Sequence, residues 1–185
     1  MPTIVYDLEI YPNFFLAVFK EATERGDGPV RKFTWDDREQ LGAYVDQQDL
    51  TLVGYNNHEF DDSILAGVIT GRINSLDALF DATQALIARD YEIEWLPQLK
   101  KLSRSWITVD LMQILGGPAR AGSLKAHQVR LGMLNVQDIP IEPGTELNDA
   151  EKETITAYCE NDVSATERLY YDVFETIQVR HRSEK

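Results

Sequence analysis

The sequence predicts an α/β fold in which helices flank a mixed five-stranded sheet. Three apolar, strand-like stretches open the chain at residues 3–9, 13–20 and 29–35, and the turn-like stretch 24–28 separates the last two. Helical and strand-like patterns then alternate along the rest of the chain. The opening strands are expected to pair antiparallel, and the later strands, which helices connect, make the sheet mixed.

The later elements are predicted from apolar periodicity and from the residues that end helices. Helices are expected at residues 36–46, 60–70, 76–88 and 124–131. The fourth and fifth strands are expected at residues 51–55 and 106–110. A proline-rich loop at 137–144 precedes a long helical pattern that occupies the last forty residues, and Asn148 with Glu151 resembles a capping box near its start.

The composition indicates one globular domain, residues 1–185, and limits its partners. Hydrophobic residues make up 43% and charged residues 26%, and no stretch has the apolar length of a membrane span. The only cysteine, Cys159, cannot form an internal disulfide, so a reducing cytoplasm is the simplest compartment. The net charge of −13 argues against a protein that coats nucleic acid passively, and it fits a site where carboxylates hold divalent cations.

Two acidic residues are expected on one face of the first strand. Because side chains alternate along a strand, Val5, Asp7 and Glu9 point the same way. Two carboxylates this close repel each other, burial increases the repulsion, and a bound divalent cation would relieve it. The alternative is that this face is the solvent side of an edge strand.

Two further acidic residues are expected to face inward from helices. Asp61 leads the apolar face of the helix at 60–70, whereas Asp62 is expected to serve the helix N-terminus through capping and the helix dipole. Asp162 lies in the core-facing stripe of the last helix, four residues after Tyr158, so the two share a face. A buried carboxylate needs a partner or a metal, and a buried salt bridge to a distant residue is the alternative for Asp162.

Three segments, in order along the chain, resemble the exonuclease motifs of the DEDD superfamily: YDLEI, GYNNHEFDDSIL and YCENDVSATE. The spacing from Tyr158 to Asp162 resembles the tyrosine subclass, in particular the proofreading domains of phage and family B DNA polymerases. The segment SLKAHQVRLG looks like the part of these domains that carries an auxiliary lysine. The resemblance covers residues 3–175 and implies a ribonuclease-H-like fold.

The resemblance also implies a site for two Mg²⁺ or Mn²⁺ ions. The implied metal ligands are Asp7, Glu9, Asp61 and Asp162. By the same resemblance, Tyr158 would position the attacking water and Lys125 would neutralise phosphate charge beside the leaving group, although Lys125 could equally be a solvated helix lysine. The implied substrate contacts are Phe60, which could instead be a core residue, and either Asn56 or Asn57.

The activity that these motifs imply is 3′→5′ hydrolysis of phosphodiester bonds in single-stranded DNA. The expected partners are a single-stranded DNA 3′ end and, as a candidate, a DNA polymerase from which such a domain could be excised. One alternative is an RNA-trimming exonuclease of the same fold, since contacts to the 2′-hydroxyl alone would discriminate the two sugars. Another is a non-catalytic nucleic-acid-binding module, which the presence of all four acidic residues disfavours.

Overall fold

A single mixed sheet organises the computed structural model, which describes residues 2–46, 50–89 and 107–174. Its strands are β1 (Thr3–Tyr11), β2 (Phe14–Glu21), β3 (Val30–Thr34), β4 (Thr51–Gly54) and β5 (Thr108–Asp110). Their order is β3-β2-β1-β4-β5, with antiparallel pairing among the first three and parallel pairing of β1 with β4 and of β4 with β5. The predicted mixed five-stranded sheet is confirmed, and the arrangement is compatible with a ribonuclease-H-like fold.

Helices flank this sheet, as the sequence predicts. They are α1 (Arg38–Val45), α2 (Asp61–Ile69), α3 (Leu76–Ala88), α4 (Leu111–Ile114), α5 (Pro118–Ala121), α6 (Leu124–Arg130) and α7 (Asp149–Asp172). The sequence does not predict α4 and α5, because a helix of four residues is too short to show an apolar repeat. None of the helices in the described ranges is both long and apolar enough to cross a membrane.

The long helix α7 begins where the sequence predicts. The Asn148 side chain accepts a hydrogen bond from the Glu151 backbone N–H at 3.0 Å, and the Glu151 carboxylate accepts one from the Asn148 N–H at 2.8 Å. This reciprocal pair confirms the capping box and fixes the start of the helix. The predicted continuation beyond residue 174 lies outside the described residues, as does the start of the predicted strand at 106.

Alternation along β1 divides the core between the two faces of the sheet. Tyr6 and Leu8 pack in the cluster that also contains core residues of α1, α2 and α3. Val5 packs in a second cluster, which contains Cys159 and Val163 of α7. The face that carries Asp7 and Glu9 is therefore covered by α7 and belongs to a central strand. The alternative that this face is the solvent side of an edge strand is wrong.

Candidate metal centre

Two carboxylates and a thiol meet where α7 covers β1. Asp7 and Glu9 lie opposite Val18 and Leu16 of β2, so apolar neighbours flank both acids. Oxygen atoms of both carboxylates and the Cys159 sulfur all lie within 4.8 Å of one another. Glu9 is only 9% exposed, and within the described residues its side chain has no hydrogen-bond donor. The local surroundings of Glu9 therefore supply neither a countercharge nor a donor.

Asp61 and Asp162 bring two more carboxylates to this cluster from helices. Asp61 is the first residue of α2 and is 7% exposed, and the charges of Asp7 and Glu9 act on its carboxyl group. Asp162 extends from α7 and acts in turn on Asp7 and Glu9. Asp7 and Glu9 therefore interact electrostatically with Asp61 of α2 and with Asp162 of α7, although only Asp7 and Glu9 belong to the group of ligand atoms within 4.8 Å of one another. We refer to Asp7, Glu9, Asp61 and Asp162 as the carboxylate cluster.

Burial and mutual repulsion favour the neutral forms of these acids. Burial, followed by the charge of Asp162, raises the pKa of Asp7 to about 8, and burial with the charges of Asp7 and Asp162 raises the pKa of Glu9 to about 9. Burial is also the main cause that holds the pKa of Asp61 well above its usual range. The cluster can be fully ionised at neutral pH only if positive charge is supplied to it.

The chemistry of the donor set fits hard divalent cations. In the parts of the chain that the structure describes, the ion pairs of lysine and arginine involve none of the four carboxylates. The alternative of a buried salt bridge for Asp162 therefore finds no support in the described ranges. Carboxylate oxygens are the ligands that Mg²⁺ and Mn²⁺ prefer in proteins.

Tyr158 lies next to Asp162 on the inward side of α7. Its hydroxyl group interacts with the Asp162 carboxylate and influences the pKa of that acid, as expected for residues four apart on one helical face. Burial, reinforced by the charge of Asp162, holds the pKa of Tyr158 well above its usual range. The phenol stays protonated at neutral pH, so it can orient a neighbouring group but cannot act as a base.

In α6, a glutamine rather than the predicted lysine contacts the cluster. Lys125 forms a surface ion pair with Asp138, and its side chain is 46% exposed. One turn later, the Gln128 side-chain amide donates a hydrogen bond to the Asp162 carboxylate at 3.0 Å. Gln128 is 2% exposed, and its side-chain oxygen has no hydrogen-bond partner within the described ranges. The sequence did not reveal this contact, because Gln128 lies among mostly exposed residues of a short helix.

The two candidate asparagines lie side by side in the loop before α2, and their surroundings differ. Asn57 is fully buried and its side-chain amide donates to Asp62 at 3.1 Å, so it is held inside the protein. Asn56 has a left-handed backbone with φ of 65°, which asparagine tolerates better than most residues. Together with Phe60, which packs partly against the core, Asn56 lines a cavity of about 470 Å³. Of the two asparagines, Asn56 is therefore the one that a ligand could reach.

Asp62 has a different role from the one predicted. It is 2% exposed, and its carboxylate accepts hydrogen bonds from the Tyr6 hydroxyl, from Asn57 and, at 3.0 Å, from the Thr108 hydroxyl. Burial raises the pKa of Asp62, and these hydrogen bonds act against the increase. The expectation that Asp62 serves only the helix N-terminus is wrong, because its contacts join α2 to β1 and β5.

Cys159 also lies in this site. From the sequence, its only predicted property was that it cannot form an internal disulfide. It is fully buried, and its sulfur lies 3.7 Å from a side-chain oxygen of Asp7. The available signal was its position in α7, four residues after Ile155 and four before Val163, which places it on the buried face. The thiol therefore points at the same carboxylate that the strand pattern singled out.

The fold and this geometry define an α/β protein with a carboxylate cluster at the contact of its central strand with two helices, in which Glu9 and Asp61 are buried and Asp7 and Asp162 are half-buried. No protein-family model, curated protein or solved structure matches the chain. The assignment of a function therefore depends on the chemistry of the cluster and on the motifs that contain its residues.

Proposed function

We propose that this protein is a divalent-metal-dependent 3′→5′ exonuclease that acts on single-stranded DNA. The observation that carries the proposal is the carboxylate cluster, in which four acids from β1, α2 and α7 converge without a lysine or arginine partner in the described ranges. An unpaired buried charge is costly, so such a cluster favours bound cations. The resemblance of the three motifs to DEDD exonucleases supplies the reaction class.

The four carboxylates are the proposed ligands of two Mg²⁺ or Mn²⁺ ions. When bound, these ions would supply activation of a water molecule and stabilisation of the leaving 3′ oxygen. Positive charge in the site would also attract phosphate to a chain whose net charge is −13. The same ions would stabilise the ionised carboxylates, since nearby positive charge lowers the pKa of an acid.

Tyr158 and Gln128 are the proposed positioning groups. Gln128 donates a hydrogen bond to Asp162 and the Tyr158 hydroxyl interacts with the same carboxylate, so both can restrict its orientation. The protonated Tyr158 hydroxyl has a lone pair and a proton with which it can orient the attacking water. The water must lose its proton to another group, because the raised pKa of Tyr158 prevents it from acting as a base.

Substrate contacts are proposed in the loop that precedes α2 and in α6. Asn56 and Phe60 line the cavity beside α2 and are the candidates for holding the terminal nucleotide. Lys125 forms an ion pair with Asp138, so it would have to leave that partner to neutralise the phosphate beside the leaving group. Because this ion pair is exposed, breaking it costs at most about 1 kcal/mol.

The proposal is tested with single-stranded DNA labelled at its 5′ end. We expect Mn²⁺ to produce a ladder of products that shortens from the 3′ end, and we expect EDTA or Asp7→Ala to abolish it. Glu153→Ala is the matched control, because this acid lies on the exposed side of α7. No cleavage by a folded, Mn²⁺-saturated protein, or equal cleavage by Asp7→Ala, would contradict the proposed activity.

The same assay separates the alternatives. An RNA strand of identical sequence tests the RNA-trimming exonuclease, which predicts faster shortening of RNA than of DNA. A non-catalytic binding module would retain the strand in a mobility-shift experiment and leave its length unchanged. Products labelled at the 5′ end also report polarity, because cleavage from the 5′ end would release the label in the first step.

A further inference from the structure

Cys159 gives the carboxylate cluster a ligand type that Mg²⁺ does not use. Its sulfur, a side-chain oxygen of Asp7 and one of Glu9 lie within 4.8 Å of one another. Glu9 is 9% exposed and has no hydrogen-bond donor in the described ranges, so a buried, unpartnered acid points at the other two groups. Soft thiolate ligands select cations such as Zn²⁺ over Mg²⁺, which prefers oxygen.

The spacing of sulfur and oxygen suits a tetrahedral cation. Zn²⁺ binds sulfur at about 2.3 Å and carboxylate oxygen at about 2.0–2.2 Å, so two such ligands at a tetrahedral angle are about 3.5–3.7 Å apart. The sulfur of Cys159 lies 3.7 Å from the nearer side-chain oxygen of Asp7. These two atoms could therefore bind one cation with little change in their separation. Glu9 would provide the third protein ligand, and water the fourth.

We propose that Asp7, Glu9 and Cys159 form a binding site for a thiophilic divalent cation of the Zn²⁺ or Cd²⁺ class. Coordination forms a metal–sulfur bond and releases the thiol proton to solvent, with no change of oxidation state. The site uses two of the carboxylates that the proposed function assigns to Mg²⁺ or Mn²⁺. On that function, a thiophilic cation competes with the working metals and inhibits the enzyme.

Cadmium is the probe for this site, because cadmium–thiolate bonds absorb in the near ultraviolet. The chain has a single cysteine, so any such absorption reports Cys159 alone. We expect a charge-transfer band that saturates at one Cd²⁺ per chain, that Zn²⁺ removes by displacement, and that excess Mg²⁺ shifts to higher Cd²⁺ concentrations. Cys159→Ser should show no band.

Glu9→Gln tests whether the carboxylates belong to the same site while the sulfur stays in place. We expect it to weaken Cd²⁺ binding by at least about tenfold, since even residues that only support a metal ligand contribute about 10–100-fold to affinity. Glu153→Gln on the exposed side of α7 should bind Cd²⁺ like the unchanged chain. Circular dichroism checks that each variant is folded.

Two results would overturn the inference. One is the absence of a charge-transfer band at excess Cd²⁺, and the other is unchanged Cd²⁺ affinity in Glu9→Gln. Both measurements are made without DNA, so they do not depend on the proposed nuclease activity. A chain that binds Cd²⁺ as expected and never cleaves DNA would support the site and contradict the exonuclease.

Discussion

Asp61 and Asp62 are neighbours in the first turn of α2, and both are buried, yet their surroundings are opposite. Asp62 accepts hydrogen bonds from Tyr6, Asn57 and Thr108. Asp61 faces the like charges of the carboxylate cluster, and the hydrogen bond that acts on its pKa comes from its own backbone. Burial alone therefore does not distinguish the two acids, whereas the side-chain donors found in the described residues do.

The other buried acids of the described ranges resemble Asp62, because each has hydrogen-bond donors or a cation beside it. Asp110 accepts hydrogen bonds from the backbone amides of Asn56, His58 and Met112. The buried Glu167 pairs with the buried Lys20 at 2.7 Å and also accepts from the Thr23 N–H at 3.0 Å. Each of these carboxylates has its counterpart inside the protein. Within the described ranges no lysine or arginine pairs with the carboxylate cluster, so its full ionisation depends on what binds to it.

The largest expected difference between the two kinds of acid is in activity. On the proposed function, Asp7→Asn removes a metal ligand, and we expect the rate of DNA cleavage to fall at least about 1000-fold, equivalent to about 4 kcal/mol. The amide keeps the shape of the carboxyl group and does not ionise, so folding no longer has to hold a proton on this residue and the metal-free protein should be at least as stable as before. Single-turnover cleavage in Mn²⁺ and urea unfolding in EDTA measure the two effects.

Asp172→Asn is the matched control for this change, because Asp172 is an acid at the exposed end of α7 that pairs with Arg130. Its cleavage rate should stay within about twofold, in line with the small contribution of exposed ion pairs. Equal loss of activity in both variants would show that the effect is not specific to the cluster. A clear loss of stability in metal-free Asp7→Asn would contradict the repulsion that we assign to it.

The second difference should appear in the pH dependence of the metal-free protein. An acid whose pKa is higher in the folded than in the unfolded chain binds more protons when folded, so stability falls as pH rises between the two values. This window runs from pH 3.8 to about pH 8 for Asp7 and from pH 4.5 to about pH 9 for Glu9. For each proton that the folded chain retains, the free energy of unfolding falls by about 1.4 kcal/mol per pH unit, or by about 3 kcal/mol between pH 5.5 and 8.

Urea unfolding in EDTA at a series of pH values measures this loss. We expect Mg²⁺ to make the free energy of unfolding depend less steeply on pH, because bound cations would hold the carboxylates ionised in the folded state. Glu9→Gln should also reduce this dependence, since one of the raised pKa values is removed. Metal-free stability that stays level or rises between pH 5.5 and 8 would contradict the raised pKa values of the cluster.

The third difference is in the free energy of unfolding when the same substitution is made at two adjacent positions. Asp62→Asn weakens charge-assisted hydrogen bonds to buried donors, so we expect it to lower the free energy of unfolding by about 2 kcal/mol. Asp61→Asn replaces an acid whose ionised form the folded chain disfavours, so it should leave the metal-free protein equally or more stable. Urea unfolding of both variants in EDTA measures the contrast. Similar destabilisation by the two changes would mean that Asp61 has donors we have not identified.

Local periodicity predicted which face of its own element each member of the carboxylate cluster occupies, whereas the grouping of the four acids was implied by the resemblance of the three motifs. Alternation along β1 placed Asp7 and Glu9 on one face, and the four-residue spacing in α7 placed Tyr158 with Asp162. Both patterns are properties of a single element, so a sequence displays them directly. The inward direction of Asp61 was also predicted, because it leads the apolar face of α2.

Most of the interactions that the sequence did not reveal are long-range. Asp62 is bound by Tyr6 and Thr108, which are 56 and 46 residues away, and Cys159 meets Asp7 across 152 residues. No local pattern encodes such pairs, because they depend on strand order and on how α7 crosses the sheet. The same holds for Gln128, which reaches Asp162 from another helix.

The smallest expected effect concerns a residue that touches the cluster but carries no charge. Tyr158→Phe removes a hydroxyl group and leaves all four carboxylates, so we expect cleavage to slow by about tenfold, equivalent to about 1.4 kcal/mol, with unchanged Mn²⁺ affinity. Tyr171→Phe, in the aromatic contacts near the end of α7, is the matched control and should cleave normally. If Tyr158→Phe were as inactive as Asp7→Asn, the hydroxyl would have to take part in the proton transfer that its raised pKa opposes.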